Sequence, residues 1–136
     1  MNSYTSMSYR EIAPRYNAIN RLPEQAGLAV GKALADLAGP GVLLDLGAGA
    51  GRLSIPAARC GARTVSFDLE HAMLAAGRAQ AEDYHTEFPA ATADVTALPL
   101  PSGAFSVVMI NNVLHLVQAW EQALREARRV LAVGGV

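Results

Sequence analysis

The residues best placed to do chemistry are two carboxylates and the glycines between them. Asp45 opens the run Asp45-Leu46-Gly47-Ala48-Gly49-Ala50-Gly51, and Asp68 follows this loop at a spacing of about 20 residues. A glycine-rich turn lets the backbone approach a ligand closely, because glycine has no Cβ and tolerates positive φ. Its N–H groups, with the start of the following helix, can receive a negatively charged group such as a carboxylate. An acid at the position of Asp68 accepts hydrogen bonds from ribose hydroxyls. Together the two features describe a nucleoside site. A dinucleotide fingerprint would require a third glycine at position 52, for close packing beside a pyrophosphate, and Arg52 stands there instead. The competing reading of Asp45 is a strand-end acid satisfied by loop N–H groups.

These residues need a strand before the loop and a helix after it. Val42-Leu43-Leu44-Asp45-Leu46 is a short, almost continuous apolar run, as expected of a parallel strand buried on both faces. Leu53 to Arg59 fits a helix, Thr64 to Asp68 a second strand ending on the acid, and residues 70 to 83 a second helix. A weaker third strand is expected near Ala91 to Asp94 and a strong fourth at Phe105 to Ile110. Upstream, Ala26, Val30, Ala33, Leu34 and Leu37 fall at helical spacing over Glu24 to Ala38, and Gly39, Pro40 and Gly41 end that helix. Downstream, Trp120, Ala123, Leu124, Ala127 and Leu131 form one stripe of a helix closed by Gly134 and Gly135. Residues 1–23, with Tyr4, Tyr9, Tyr16, Pro14 and Pro23, read as a cap of short helical pieces over the domain at 24–136. Strands alternating with helices predict βαβ units and a parallel sheet.

With 136 residues, 51% of them apolar, and a net charge of -1, the chain has the size of one globular domain and lacks the basic surface that bulk nucleic acid requires. The most apolar segment, Val107 to Val117, is interrupted by Asn111, Asn112 and His115 and is far shorter than the roughly 20 residues of a membrane span. No membrane association is expected. Met1, Asn2, Ser3 and Tyr4 carry neither the basic nor the apolar stretch of a signal peptide, and the single Cys60 cannot form an internal disulfide, so the expected setting is cytoplasmic. His71 and His85 with Cys60 have no metal-ligand spacing, and no metal site is expected.

In this order the motifs resemble class I S-adenosylmethionine methyltransferases, especially the group acting on small molecules. Leu43 to Gly51 is similar to the family's first motif, and Phe67-Asp68-Leu69-Glu70-His71-Ala72-Met73-Leu74 to its second. Ala93-Asp94-Val95 with Leu98-Pro99-Leu100 resembles the third, and Phe105 to Val108 through Leu114-His115-Leu116 the fourth. Glu126 to Leu131 with Gly134 and Gly135 looks like the approach to a fifth strand, and Tyr9 to Asn17 like the family's opening segment. The resemblance covers nearly the whole chain.

It implies a Rossmann-like α/β/α sandwich with a mostly parallel sheet in order 3-2-1-4-5-7-6, of which this sequence supplies only strands one to four. A chain truncated at its C-terminus is therefore expected. Strand 105 to 110 would then be an apolar edge open to aggregation or to a homo-oligomer. The resemblance also implies S-adenosylmethionine as cofactor and an unidentified small-molecule methyl acceptor. Asp45 would orient the methionine end, with Gly47, Ala48, Gly49 and Gly51 giving close approach. Asp68 would hold the ribose, Asp94 and Val95 would meet the adenine, and Asn111 would lie beside the methionine moiety. Leu69 and Met73 either contact adenine or belong to the core, and Tyr16 is either a lid over the cofactor or a packing aromatic. His115 is the candidate general base, although a histidine at the start of a helix more often packs or caps. Glu121, Gln122, Arg125, Glu126 and Arg128 read as a solvated helix face. Two alternatives accompany this reading: a chain that binds cofactor without turnover, and a nicotinamide-dependent oxidoreductase, which Arg52 and the later motifs disfavour.

Overall fold

The computed structural model describes residues 9–136; Met1 to Ser8, and with them Tyr4, lie outside the described residues. The elements follow as α1 (Tyr9–Asn20), α2 (Glu24–Ala38), β1 (Val42–Leu46), α3 (Ser54–Arg59), β2 (Arg63–Asp68), α4 (His71–Asp83), β3 (Ala90–Thr92), β4 (Val107–Ile110), a single 3-10 turn at Leu114–Leu116, and α5 (Trp120–Val130). All four strands are parallel, in the order β3-β2-β1-β4.

The central strand explains its composition. Leu43, Leu44 and Leu46 of β1 are fully buried because helices cover both faces of the sheet. Leu44 and Leu46 join Ala123, Ala127 and Val130 of α5 in one core, while Leu43 packs with Ala38 of α2 and Val107. Burying each such leucine stabilises the fold by about 1.5–3 kcal/mol. Ile55 of α3, Leu74 and Ala81 of α4, and Phe88 form a further cluster. At Gly31, α2 crosses α3 so closely that a Cβ would collide with the Pro56 carbonyl. The architecture is the Rossmann-like α/β sandwich, carrying strands one to four. Among the described residues no helix is long and apolar enough to cross a membrane.

Three expectations change in detail. Residues 9–20 form one helix rather than short pieces: Pro14 lies inside α1, where it removes one backbone donor, and Ala13 beside it is buried against Ala50 and Met73. The fourth strand begins at Val107 rather than Phe105, which makes only an isolated parallel bridge to Leu131. The outer edge of β4 is partly covered, because the Ala132 and Val136 amides donate to the Phe105 and Ser106 carbonyls (2.7 and 3.1 Å) and the Val108 amide donates to the Val136 carbonyl (2.9 Å). Residues 131–136 thus run where a fifth strand would begin.

Between β3 and β4 the chain crosses the sheet without a helix, and a side-chain clamp replaces the missing ladder. The Glu126 carboxylate accepts from the Leu98 amide (2.8 Å) and from Arg129 Nε and Nη2 (2.7 and 2.8 Å). Arg129 also donates to the Leu98 and Leu100 carbonyls (3.1 and 2.8 Å). Glu126 is therefore not part of a solvated face, and the adjacent Arg129 guanidinium and Leu98 amide hold its carboxyl down at about 2. A group lowered in this way stabilises the fold above its ordinary value and loses that contribution as pH falls toward 2. Arg129→Ala should lower the urea midpoint and move the acid transition to higher pH. Urea titrations at pH 7 and pH 4 measure both, and an unchanged midpoint would show that the clamp is ornamental.

Candidate active site at the carboxyl edge of the sheet

Parallel pairing sets the C-termini of β1, β2 and β4 side by side, with Leu46 opposite both Phe67 and Ile110. The loops leaving these strands meet over that edge around a cavity of about 380 Å³. A cavity of this size suits a nucleoside-sized ligand.

The glycine loop is bent back over β2. The Gly47 and Ala48 amides both donate to the Phe67 carbonyl (2.8 and 3.0 Å). Gly47 (φ 74°) and Gly49 (φ 54°) have left-handed backbones that favour glycine. A Cβ at Gly47 would meet the Val113 side chain at 2.6 Å, so the loop after β4 rests directly on this backbone. Asp68 then ties the parts together: its Oδ2 accepts from the Gly49 amide and its Oδ1 from the Glu70 amide, each at 2.8 Å. Glu70 caps α4 in turn, accepting from the Ala72 amide at 3.3 Å. Each carboxylate oxygen has a second acceptor site, so the cavity-facing Asp68 still has capacity for hydroxyl donors.

The walls differ in character. Asp45, Asp68 and Arg52 supply charge; Leu69, Met73, Val95, Val113, Leu116 and Val117 supply apolar surface; Tyr9 and Tyr16 of α1 close one side. The two tyrosine rings are tilted, with centroids 6.5 Å apart. Burial and then the nearby Tyr9 raise the Tyr16 hydroxyl above its ordinary value; Arg52 opposes them, and the Asp68 charge adds a smaller rise.

Residues 44–136 match the family described as a methyltransferase domain. The chain belongs to the class I S-adenosylmethionine-dependent methyltransferases. It is 40% identical over 133 residues to a demethylmenaquinone methyltransferase of Thermus thermophilus, covering 93% of this chain and 60% of that protein. It is 30% identical to a malonyl-[acyl-carrier protein] O-methyltransferase of Legionella pneumophila, covering 99% of this chain and 48% of that protein. The fold matches the crystal structure of a candidate S-adenosyl-l-methionine-dependent methyltransferase from Methanococcus maripaludis with a TM-score of 0.78 at 18% identity, covering 93% of this chain and 59% of that one. The chain thus spans about half to three fifths of the length of these relatives.

Tyr16, Asp45, Gly47, Ala48, Gly49, Asp68, Leu69, Met73, Val95 and Asn111 all line this cavity. Gly51 lies outside it, packed so that a Cβ would meet Ile55 at 2.7 Å and Phe88 at 2.9 Å. Asp94 is also outside the wall. Its exposed carboxylate accepts from the Thr96 amide and hydroxyl (2.8 and 2.7 Å), which hold it below the ordinary carboxylate value. His115 is exposed on the 3-10 turn and is not among the wall residues, unlike its neighbour Leu116. Sequence reasoning did not single out Tyr9, Arg52, Asn112, Val113, Leu116 and Val117 as lining residues. Asn112 carries a usable signal, since asparagine is the side chain best suited to its left-handed backbone (φ 58°).

Asp45 is the electrostatic anomaly of the site. Burial pushes its carboxyl up to about 7, and the neighbouring Asp68 charge adds to the shift. Ser54 opposes it more weakly, and its buried hydroxyl makes no hydrogen bond of regular geometry. Between the unfolded value near 4 and about 7 the folded chain holds a proton that the unfolded chain has released, so stability falls as pH rises through this window and is level above it. Asp45→Asn should abolish that slope. At pH 8 the ligand-free variant should be more stable than the parent by up to about 4 kcal/mol, with the difference shrinking at pH 5. Chemical denaturation at the two pH values checks this, and a slope that survives in the variant would assign it to another group.

Proposed function

We propose that this chain binds S-adenosylmethionine in the cavity and serves as the donor-holding part of a methyltransferase acting on a small molecule. The observation that carries the reading is the Asp68 bridge, which places a carboxylate with unused acceptor capacity beside a close-approach backbone at the sheet edge. The residues present fit the group. Leu69, Met73 and Val95 offer apolar surface to an adenine, Asp68 offers acceptors to ribose hydroxyls, and Asp45 offers a carboxylate to a cationic amino-acid end. When bound, the cofactor supplies an electrophilic methyl on a sulfonium, which transfers by in-line displacement.

The chain's own part is to orient and to exclude water. Val113, seated on Gly47, fixes the loop after β4 against the floor, while Tyr9 and Tyr16 cover one side. His115, on the outer side of its turn, takes no proton in this scheme. The two relatives are named for different acceptors, a demethylmenaquinone and a malonyl-acyl carrier protein, although both align with nearly all of this chain. This supports assigning donor binding to these residues. Leu116, 53% exposed at the cavity, favours an acceptor with an apolar body, such as a quinone ring. A cytoplasmic setting suits such an enzyme.

Calorimetric titration should show S-adenosylmethionine binding and no comparable binding of a nicotinamide dinucleotide; preferential binding of the dinucleotide would overturn the proposal. Asp68→Ala should weaken cofactor binding by about 1–3 kcal/mol, and unchanged affinity would remove Asp68 from the site.

A further inference from the structure

Among the described residues, Asp45 is the one acid of the cavity wall that is buried: it is 3% exposed, whereas Asp68 and Glu70 are half-buried. Its surroundings supply no counter-charge. Its partners across the sheet are Ser66 of β2 and Met109 of β4, and the same face of the sheet receives Leu34 and Ala38 of α2. The charged residues of α2 and α3 are engaged elsewhere, Glu24 with Arg59 (2.6 Å) and Lys32 with Asp36 (2.8 Å). From the cavity side Asp45 shares the wall with Asp68, Glu70, Arg52, Tyr9 and Tyr16. Ser54, at the start of α3, is the neighbour whose donor favours the charged form, and its fully buried hydroxyl has no regular partner. A hydroxyl rotates to suit its neighbour, donating to a carboxylate or accepting from a carboxylic acid.

A carboxyl withdrawn from water in this way keeps its proton in the free chain, and a cation set beside it reverses the preference. We propose that cofactor binding expels the proton of Asp45, and that Ser54 is the positioning residue whose hydroxyl then turns to donate to the new carboxylate. The carboxyl O–H bond breaks, the proton leaves through the cavity to solvent, and the ligand's ammonium balances the charge left behind. The inference rests on the S-adenosylmethionine reading of the cavity and adds a proton to its binding equilibrium. Its sign is opposite to that of folding: the free chain loses stability as pH rises, while its affinity for the cofactor grows.

Burial raises Asp45 to about 7, which sets the window. Affinity for S-adenosylhomocysteine should rise about 10-fold from pH 6 to pH 8 and then level off. Calorimetry at pH 7 in two buffers of different ionisation enthalpy should register release of about half a proton per ligand bound. Methylthioadenosine, which lacks the amino-acid cation, should release none. No histidine is among the wall residues, so a slope in this range is not theirs. Asp45→Asn should bind more weakly and vary less than about twofold over the same range, which also subtracts the ligand's own titration. Ser54→Ala should match the parent within about twofold at pH 9 and fall several-fold below it at pH 7, because its rise moves to higher pH. Circular dichroism melts of both variants report folding. S-adenosylhomocysteine binding without proton release, or a slope that persists in a folded Asp45→Asn chain, overturns the inference and leaves the cofactor reading intact. Equal weakening of Ser54→Ala at every pH overturns the role of Ser54. A wild-type chain that does not bind S-adenosylhomocysteine overturns both readings.

Discussion

One carboxylate sets the geometry on which the rest depends. Asp68 accepts a backbone N–H from the glycine loop and another from Glu70, two residues beyond the end of its own strand, and so locks the ends of two parallel βα units to each other. Neither unit alone could place Gly49 against the start of α4. A side-chain amide in its place would turn a donor rather than an acceptor toward one of these two N–H groups, and the loop would be free to lift away from Met73. The cavity exists because the turn leaving β1 is held open from the side by a residue of β2.

Around that bridge the site separates charge by depth. Asp45 sits near the end of a buried strand, where burial raises its carboxyl to about 7, whereas the cavity-lining Asp68 is fastened by two amides. Two carboxylates on neighbouring strand ends repel when both are charged, and the raised value of Asp45 lowers that repulsion. A cation beside Asp45 would favour its charged form, so ligand charge and the protonation of this residue are linked.

Much of this was legible in the sequence, for identifiable reasons. The run 42–46 reads as a buried parallel strand because it lacks alternation, and glycines at 47 and 49 mark backbone that must approach something closely. The spacing to Asp68 then fixes the partner of the loop. What failed to show was chemistry that depends on neighbours distant in sequence. Pro14 suggests a break, yet α1 runs through it because Ala13 gains burial against Ala50 and Met73. Glu126 and Arg129 look like any exposed pair three residues apart until the loop at Leu98 is folded onto them. Asp94 sits in a motif that suggests a ligand, whereas its Oδ1 accepts from the amide and hydroxyl of Thr96 and the residue lies outside the cavity wall.

The crossover between β3 and β4 divides the molecule into unequally fastened halves. Its apolar residues Leu98 and Phe105 fill the core beneath α5, but side-chain contacts from α5 hold Leu98, and only short stretches of backbone pairing hold Phe105. If that fastening slipped, the strip and α5 would swing out as one flap and bare a face of the sheet. The strip also reaches the bridge between β1 and β2, because the Ala93 amide donates to the Asp68 carbonyl (3.1 Å) and Val95 lines the same cavity as the glycine loop. Loosening of the crossover would therefore be felt at the cavity wall.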